Sequence, residues 1–175
     1  MKNYLELDFE YAQHHQVLCN YVDSIQDSIT TSYQKVDLLG FRENNLKLCE
    51  VLENMAQSEL ERVIVLTVNE KFKFLPHKDE GPRVCRINWP VLNSDSACTV
   101  FYKTNTGATP YKYEGIDMYH KHDLQVSDTF ILTKPTLMHV NTIHSVEPIE
   151  GKSLPRIIVS FNFRDDSVLQ QLLVE

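Results

Sequence analysis

The chain has 175 residues, a length that fits one domain around a single core. Hydrophobic residues make up 42% of it, yet no stretch approaches the roughly 18 consecutive apolar residues of a membrane span, so a soluble globular protein is expected. A formal net charge of −7 disfavours a general grip on nucleic acid, because such binding rests on Lys and Arg neutralising phosphates.

The opening stretch, residues 1–15, carries acidic residues early and has no apolar h-region. It does not read as a signal peptide, and the cytoplasm is the expected compartment. From Phe9 to Ile29, the apolar residues Leu18, Tyr21, Val22, Ile25 and Ile29 fall at offsets 0, 3, 4, 7 and 11, one face of a helix. The stretch TTSYQKVDLLGF is less periodic and ends near Gly40, which predicts a loop or short strand. A second helix is predicted from Glu43 to about Leu60, with Leu48, Val51, Leu52 and Met55 on one face.

After Glu61 the texture changes. ERVIVLTVN is short and β-branched, and strand candidates follow in KFKFLPH, RVCRINWPV, ACTVFYK, ATPYKYEG, DTFILT, LMHVNTIHSV and PRIIVSFNF. Turn signals such as DEGP, NSDS, NTG, TKP and EPIEGK separate them. The expected class is mainly β (α+β): a jelly-roll or cupin-like barrel over residues 61–165 or so, braced by a helical part over about 1–60, in one domain spanning 1–175. Four cysteines (Cys19, Cys49, Cys85, Cys98) show no CxxC spacing, so ordinary, partly buried thiols are expected rather than zinc or disulfide sites.

The chemistry concentrates in four positions. His77 and Asp79 are two apart, so in extended chain they point to one side, about 6.5–7 Å apart along the backbone. A bare HxD triplet is common by chance. Its weight comes from His144, 65 residues after Asp79 in a strand-like segment, and from Arg156, 12 residues further on at the head of RIIVSF. Two imidazoles and one carboxylate on one face of a metal leave open positions, the arrangement of non-haem Fe(II) oxygenases. An Arg on the neighbouring strand offers a planar fork matched to the distal carboxylate of 2-oxoglutarate. Arg86 and Asn88 share a strand face, with Cys85, Ile87 and Trp89 on the other.

Each position has a plainer alternative. His77 and Asp79 could belong to an exposed turn, His144 could be a satisfied core histidine, Arg156 a surface arginine, and Arg86 the partner of a carboxylate. The rival metal motif, His120-Lys121-His122-Asp123, follows a turn-rich stretch and reads as an exposed loop. His139 reads as structural, and His14 and His15 as solvated helix residues. Tyr102 is either core or pocket lining, Trp89 packing or rim, and Tyr111 with Tyr113 a possible substrate entrance.

Over about residues 63–163 the chain resembles the 2-oxoglutarate/Fe(II)-dependent oxygenase superfamily. HKDEGPRVCRINWPVL and HSVEPIEGKSLPRIIVSF are most similar to its aspartyl/asparaginyl β-hydroxylase branch and small phage or bacterial relatives. That resemblance implies a double-stranded β-helix in which His77, Asp79 and His144 hold catalytic Fe(II). It implies that Arg156 binds the distal carboxylate of the 2-oxoglutarate co-substrate, with Arg86 and Asn88 helping to hold it, and that O2 is consumed. The implied activity is hydroxylation of an amino acid, peptide or protein side chain, with release of succinate and CO2. The competing class is a cupin-like module that binds metal without 2-oxoglutarate or has no catalytic role. Two departures stand out: Ile158 occupies the place of Ser in the Arg-x-Ser of many members, and Asn88 the place of His in the R-x-H pattern of the branch. The partners implied are a small-molecule or peptide substrate, with neither nucleic acid nor membrane; oligomeric state is left open.

Overall fold

A computed structural model describes residues 2–8, 11–70, 74–79, 81 and 83–174. The start of the first predicted helix, the head of KFKFLPH and part of the DEGP turn lie outside them.

The helices come first and follow the apolar spacing. Helix α1 (Tyr11–Ile25) buries Leu18 and Val22, with Tyr21 and Ile25 partly buried beside them. Helix α3 (Leu46–Ala56) buries Leu48, Cys49, Leu52 and Ala56. The stretch between them departs from expectation. It forms strand β2 (Tyr33–Lys35), one of the two readings, and then a further helix, α2 (Leu38–Asn44), which was not predicted. A local cap explains it. The Asp37 side chain accepts a hydrogen bond from the Gly40 N–H at 3.0 Å, satisfying one of the donors left free in a first helical turn. Glycine leaves room for that cap, since a Cβ on residue 40 would stand 2.8 Å from Asp37 Oδ2.

The remaining strands are β1 (Tyr4–Glu6), β3 (Leu60–Val68), β4 (Phe74–Lys78), β5 (Cys85–Leu92), β6 (Ala97–Thr104), β7 (Tyr111–Tyr113), β8 (Ile116–Met118), β9 (Leu124–Ile131), β10 (Thr136–His139), β11 (His144–Pro148) and β12 (Arg156–Phe163). A short helix, α4 (Ser167–Leu172), follows. Neither β1 nor α4 is signalled by periodicity, and ATPYKYEG supplies β7 and the turn of a tight hairpin completed by β8. The strands form two antiparallel six-stranded sheets, ordered β1-β10-β5-β12-β3-β2 and β7-β8-β4-β11-β6-β9. Along the chain, β3 to β6 alternate between the sheets, as do β9 to β12.

Alternation within strands decides what each face meets. On β12 every residue is buried. Ile157, Val159, Phe161 and Phe163 join the core formed with the helices, where Phe41 of α2 meets Phe161 at 5.9 Å between ring centres. Arg156, Ile158, Ser160 and Asn162 therefore face the second sheet. On β5 the expected division holds: Cys85, Ile87 and Trp89 lie in the helix-side core, while Arg86 and Asn88 line a cavity between the sheets. At one edge the sandwich is sealed by Tyr4, stacked 4.1 Å from Phe130, with Phe101 and Met138 in the same cluster. At the opposite edge, β2 and β3 of one sheet and the β7–β8 hairpin of the other line the mouth of that cavity. Among the described residues no helix is long and apolar enough to cross a membrane.

Candidate metal centre

The cavity between the sheets has a volume of about 550 Å³. His77, Asp79 and His144 meet inside it, and their potential ligand atoms all lie within 4.8 Å of one another. Among the described residues this is the one cluster of three such groups. Strand pairing produces it: His144, at the head of β11, stands directly opposite His77 on β4, which brings the rings to 4.5 Å between centres. Asp79 follows two residues after His77, just past the end of β4, where its N–H bonds the Val140 carbonyl at 3.2 Å.

Backbone carbonyls fix the orientation of both imidazoles. His77 Nδ1 lies 2.7 Å from the Leu75 oxygen and His144 Nδ1 lies 2.8 Å from the Thr142 oxygen. A carbonyl only accepts, so each Nδ1 carries the hydrogen. Nε2 of a neutral ring is then left with its lone pair toward the cluster, the way metal-binding histidines are commonly held. His77 Nε2 stands 3.3 Å from Asp79 Oδ1.

Protonation states suit a cation. Burial, reinforced by the neighbouring His77, lowers His144 to about 4, so its ring is neutral near pH 7. Burial alone would raise the Asp79 carboxyl. Contact with His77 and the charge of Arg86 outweigh it and hold the group well below the usual carboxylate range. The centre therefore presents the neutral imidazole of His144 and the anion of Asp79 beside the carbonyl-oriented ring of His77.

Arg86 is placed differently from the expectation. It lines the cavity, but its Nη2 lies 2.9 Å from Asp79 Oδ2 in a largely enclosed pair. The alternative noted for it, pairing with a carboxylate, is what the geometry shows, and that carboxylate is Asp79. Holding one oxygen of Asp79 leaves the other turned to His77. Arg86→Ala should weaken Mn(II) binding by about 10- to 100-fold, the usual cost of losing a group that orients a metal ligand. An unchanged Mn(II) titration, followed by electron paramagnetic resonance, would rule this role out.

Arg156 is the unusual residue. It is 2% exposed, lines the same cavity, and has no hydrogen-bond or ion-pair partner among the described residues; its Nε is fully enclosed and unsatisfied. Burial lowers it to about 10, so it remains a cation near neutral pH. Asn88 also lines the cavity. Its Nδ2 donates to Met138 Sδ at 2.8 Å, and its Oδ1 is unsatisfied.

Other candidates fall elsewhere. Tyr102 lies on the far face of the second sheet, where its hydroxyl bonds Glu147 Oε1 at 2.6 Å and Ser145 Oγ at 2.9 Å. Ile158 lines the cavity, whereas Ser160, fully buried with an unsatisfied hydroxyl, does not. The residues Lys121–Asp123 form an exposed turn, with His120 stacked 4.7 Å from Tyr111. His139 bonds Thr142 Oγ1 at 2.8 Å, a local structural contact. His15 is not simply solvated: Trp89 Nε1 donates to its Nδ1 at 3.4 Å. All four cysteines are free. Sequence reasoning missed Met118 and Arg62 as cavity residues. Alternation on β3 could have marked Arg62 as sharing a face with Leu66.

The sequence matches no protein-family model and no curated protein. Solved structures share its fold. HygX from Streptomyces hygroscopicus, solved with nickel and 2-oxoglutarate bound, is 9% identical, with 91% of this chain and 81% of HygX covered at a TM-score of 0.53. The non-heme alpha ketoglutarate dependent epimerase SnoN from nogalamycin biosynthesis is 13% identical, with 91% of this chain and 76% of SnoN covered at a TM-score of 0.52. HygX with iron bound aligns at a TM-score of 0.52. At these identities the likeness is one of fold, a mainly β, cupin-like sandwich.

Proposed function

We propose that the protein is an Fe(II)- and 2-oxoglutarate-dependent oxygenase built on a double-stranded β-helix, acting in the cytoplasm as a single domain. The observation that carries this reading is the presence in one cavity of a two-histidine, one-carboxylate cluster and a buried arginine without a partner. A metal site alone needs no such arginine. A buried cation left unpaired is costly, and an anionic ligand that reaches both the cluster and Arg156 removes that cost. The donor set fits a borderline divalent ion such as Fe(II). The fold is also that of HygX, solved with nickel and 2-oxoglutarate, and of the alpha ketoglutarate dependent SnoN.

His77, Asp79 and His144 would hold the metal, and Arg156 the distal carboxylate of 2-oxoglutarate. Bound together, Fe(II), 2-oxoglutarate and O2 supply an oxidation in which one oxygen atom enters a substrate C–H bond and the other enters succinate as CO2 leaves. The chain's own contribution is placement. Arg86 orients Asp79, the carbonyls of Leu75 and Thr142 orient the two rings, and Leu66, Val146 and Ile158 give the cavity apolar walls that limit water. Asn88 stands beside this path and could turn its amide N–H to the co-substrate. Arg86 and Asn88 on the inner face of β5 support likeness to the aspartyl/asparaginyl β-hydroxylase branch. Hydroxylation of an amino acid, peptide or protein side chain is the proposed outcome, without nucleic acid or membrane as partner. That SnoN is an epimerase shows that this fold also serves other outcomes.

A thermal-shift series separates this from a metal-binding module. Mn(II) together with N-oxalylglycine, a 2-oxoglutarate mimic, should raise the unfolding midpoint beyond Mn(II) alone, since a ligand at 100 times its Kd adds about 2.7 kcal/mol of stability. Stabilisation by metal with no further response to the oxo-acid would favour the module.

A further inference from the structure

Arg156 is not the only arginine of the cavity without a partner. Arg62 lines it as well, exposed at the mouth, and has no hydrogen bond or ion pair among the described residues. Glu114, at the β7–β8 turn on the opposite wall, has none either. Strand register places Arg62 relative to the metal cluster. Arg62 stands opposite Asn162, and the pairing of Phe161 with Ile87 sets Asn162 beside Arg86, the arginine that holds Asp79. Arg62 is thus about two strand spacings, roughly 10 Å, from Arg86 toward the mouth. Arg156 lies at the other end of β12. The two unpaired arginines therefore mark different directions from the metal cluster.

Resting on the oxygenase reading above, we propose that Arg62 and Glu114, on facing walls of the cavity mouth, form the head-group subsite for the substrate that is oxidised, and that this substrate is a free α-amino acid. Its carboxylate sits on the Arg62 fork, its ammonium against Glu114, and its side chain runs toward His77, Asp79 and His144. The charge pattern selects among candidates. A dicarboxylate without an amine would meet Glu114, a diamine would meet Arg62, and a residue within a peptide carries neither charge. A zwitterion satisfies both walls. The cavity volume of about 550 Å³ lies within the range of small-molecule sites, about 300–1,000 Å³.

The test uses the full chain loaded with Mn(II) and N-oxalylglycine, and measures binding of the common L-amino acids, their C-terminal amides and their N-acetyl derivatives. At least one free amino acid should bind, with its amide and its N-acetyl form each at least about tenfold weaker, since each deletes a charge-assisted contact. Arg62→Gln should weaken the free acid at least about tenfold and shrink the gap between acid and amide. Its response to N-oxalylglycine reports that the variant is folded and its metal cluster intact. The proposal is overturned if amide and acid bind alike. It is also overturned if no free amino acid binds at millimolar concentration to protein that does respond to Mn(II) and N-oxalylglycine. Absence of that response would overturn the oxygenase reading, and this inference with it.

Discussion

Arg156→Met should raise the thermal midpoint of the metal-free protein and at the same time abolish its response to N-oxalylglycine. The two effects have one origin. Arg156 is almost fully buried, lines the cavity together with Thr99 and Ile158, and has no described carboxylate to offset its charge. Replacing even paired buried charges by apolar side chains of similar size often stabilises by about 1–4 kcal/mol. Methionine is flexible and fills irregular space, so little cavity should remain. For a chain of this length each kcal/mol corresponds to about 2–4 °C. On the ligand side, losing a charge-assisted contact of about 1.5–3 kcal/mol weakens the oxo-acid by about 10- to 150-fold. Scanning calorimetry of both proteins with and without Mn(II) and N-oxalylglycine measures both effects. A destabilised variant that still responds fully to the mimic would show that Arg156 is a structural residue and that another group holds the distal carboxylate.

Asp79→Ala should have the largest effect on activity. It removes the single anion of the cluster and leaves Arg86, which is 17% exposed at its side chain, without the carboxylate it grips. Loss of a group that merely orients a ligand costs about 10- to 100-fold in metal affinity, so loss of the ligand itself should exceed that. Succinate formation from 2-oxoglutarate should fall to background. Breaking a buried pair by deleting one partner should also destabilise the fold, by up to about 3–5 kcal/mol. Asp79→Asn separates the two consequences, since it preserves shape while removing the charge. Wild-type succinate formation in either variant would remove Asp79 from the metal site.

Much of the cluster was legible because its elements are local. Spacing by two puts His77 and Asp79 on one side of an extended segment, and the same rule divides Arg86 and Asn88 from Cys85, Ile87 and Trp89. Helical spacing located α1 and α3, because burial of one stripe leaves a periodic trace. Helix α2 left no such trace. It depends on a capping contact between Asp37 and Gly40, in a stretch that the sequence predicted as a loop or short strand. Tyr102, open in the sequence between core and pocket lining, is a buried core residue. The β6–β9 pairing shifts register between Phe101 and Tyr102, and only the pairing partners reveal that Phe101 turns inward and Tyr102 outward.

Residue type and order along the chain were enough to propose His77, Asp79, His144 and Arg156 as one set and to expect a mainly β class. Tertiary structure alone decided how those groups face one another. The opposition of His77 and His144 depends on β4 and β11 becoming neighbours across a long separation in sequence, and the grip of Arg86 on Asp79 depends on contact between two sheets. Local chain geometry specifies which side of its own strand a residue takes. It does not specify which strand lies beside it or which sheet lies opposite, because those contacts are made by packing between distant segments.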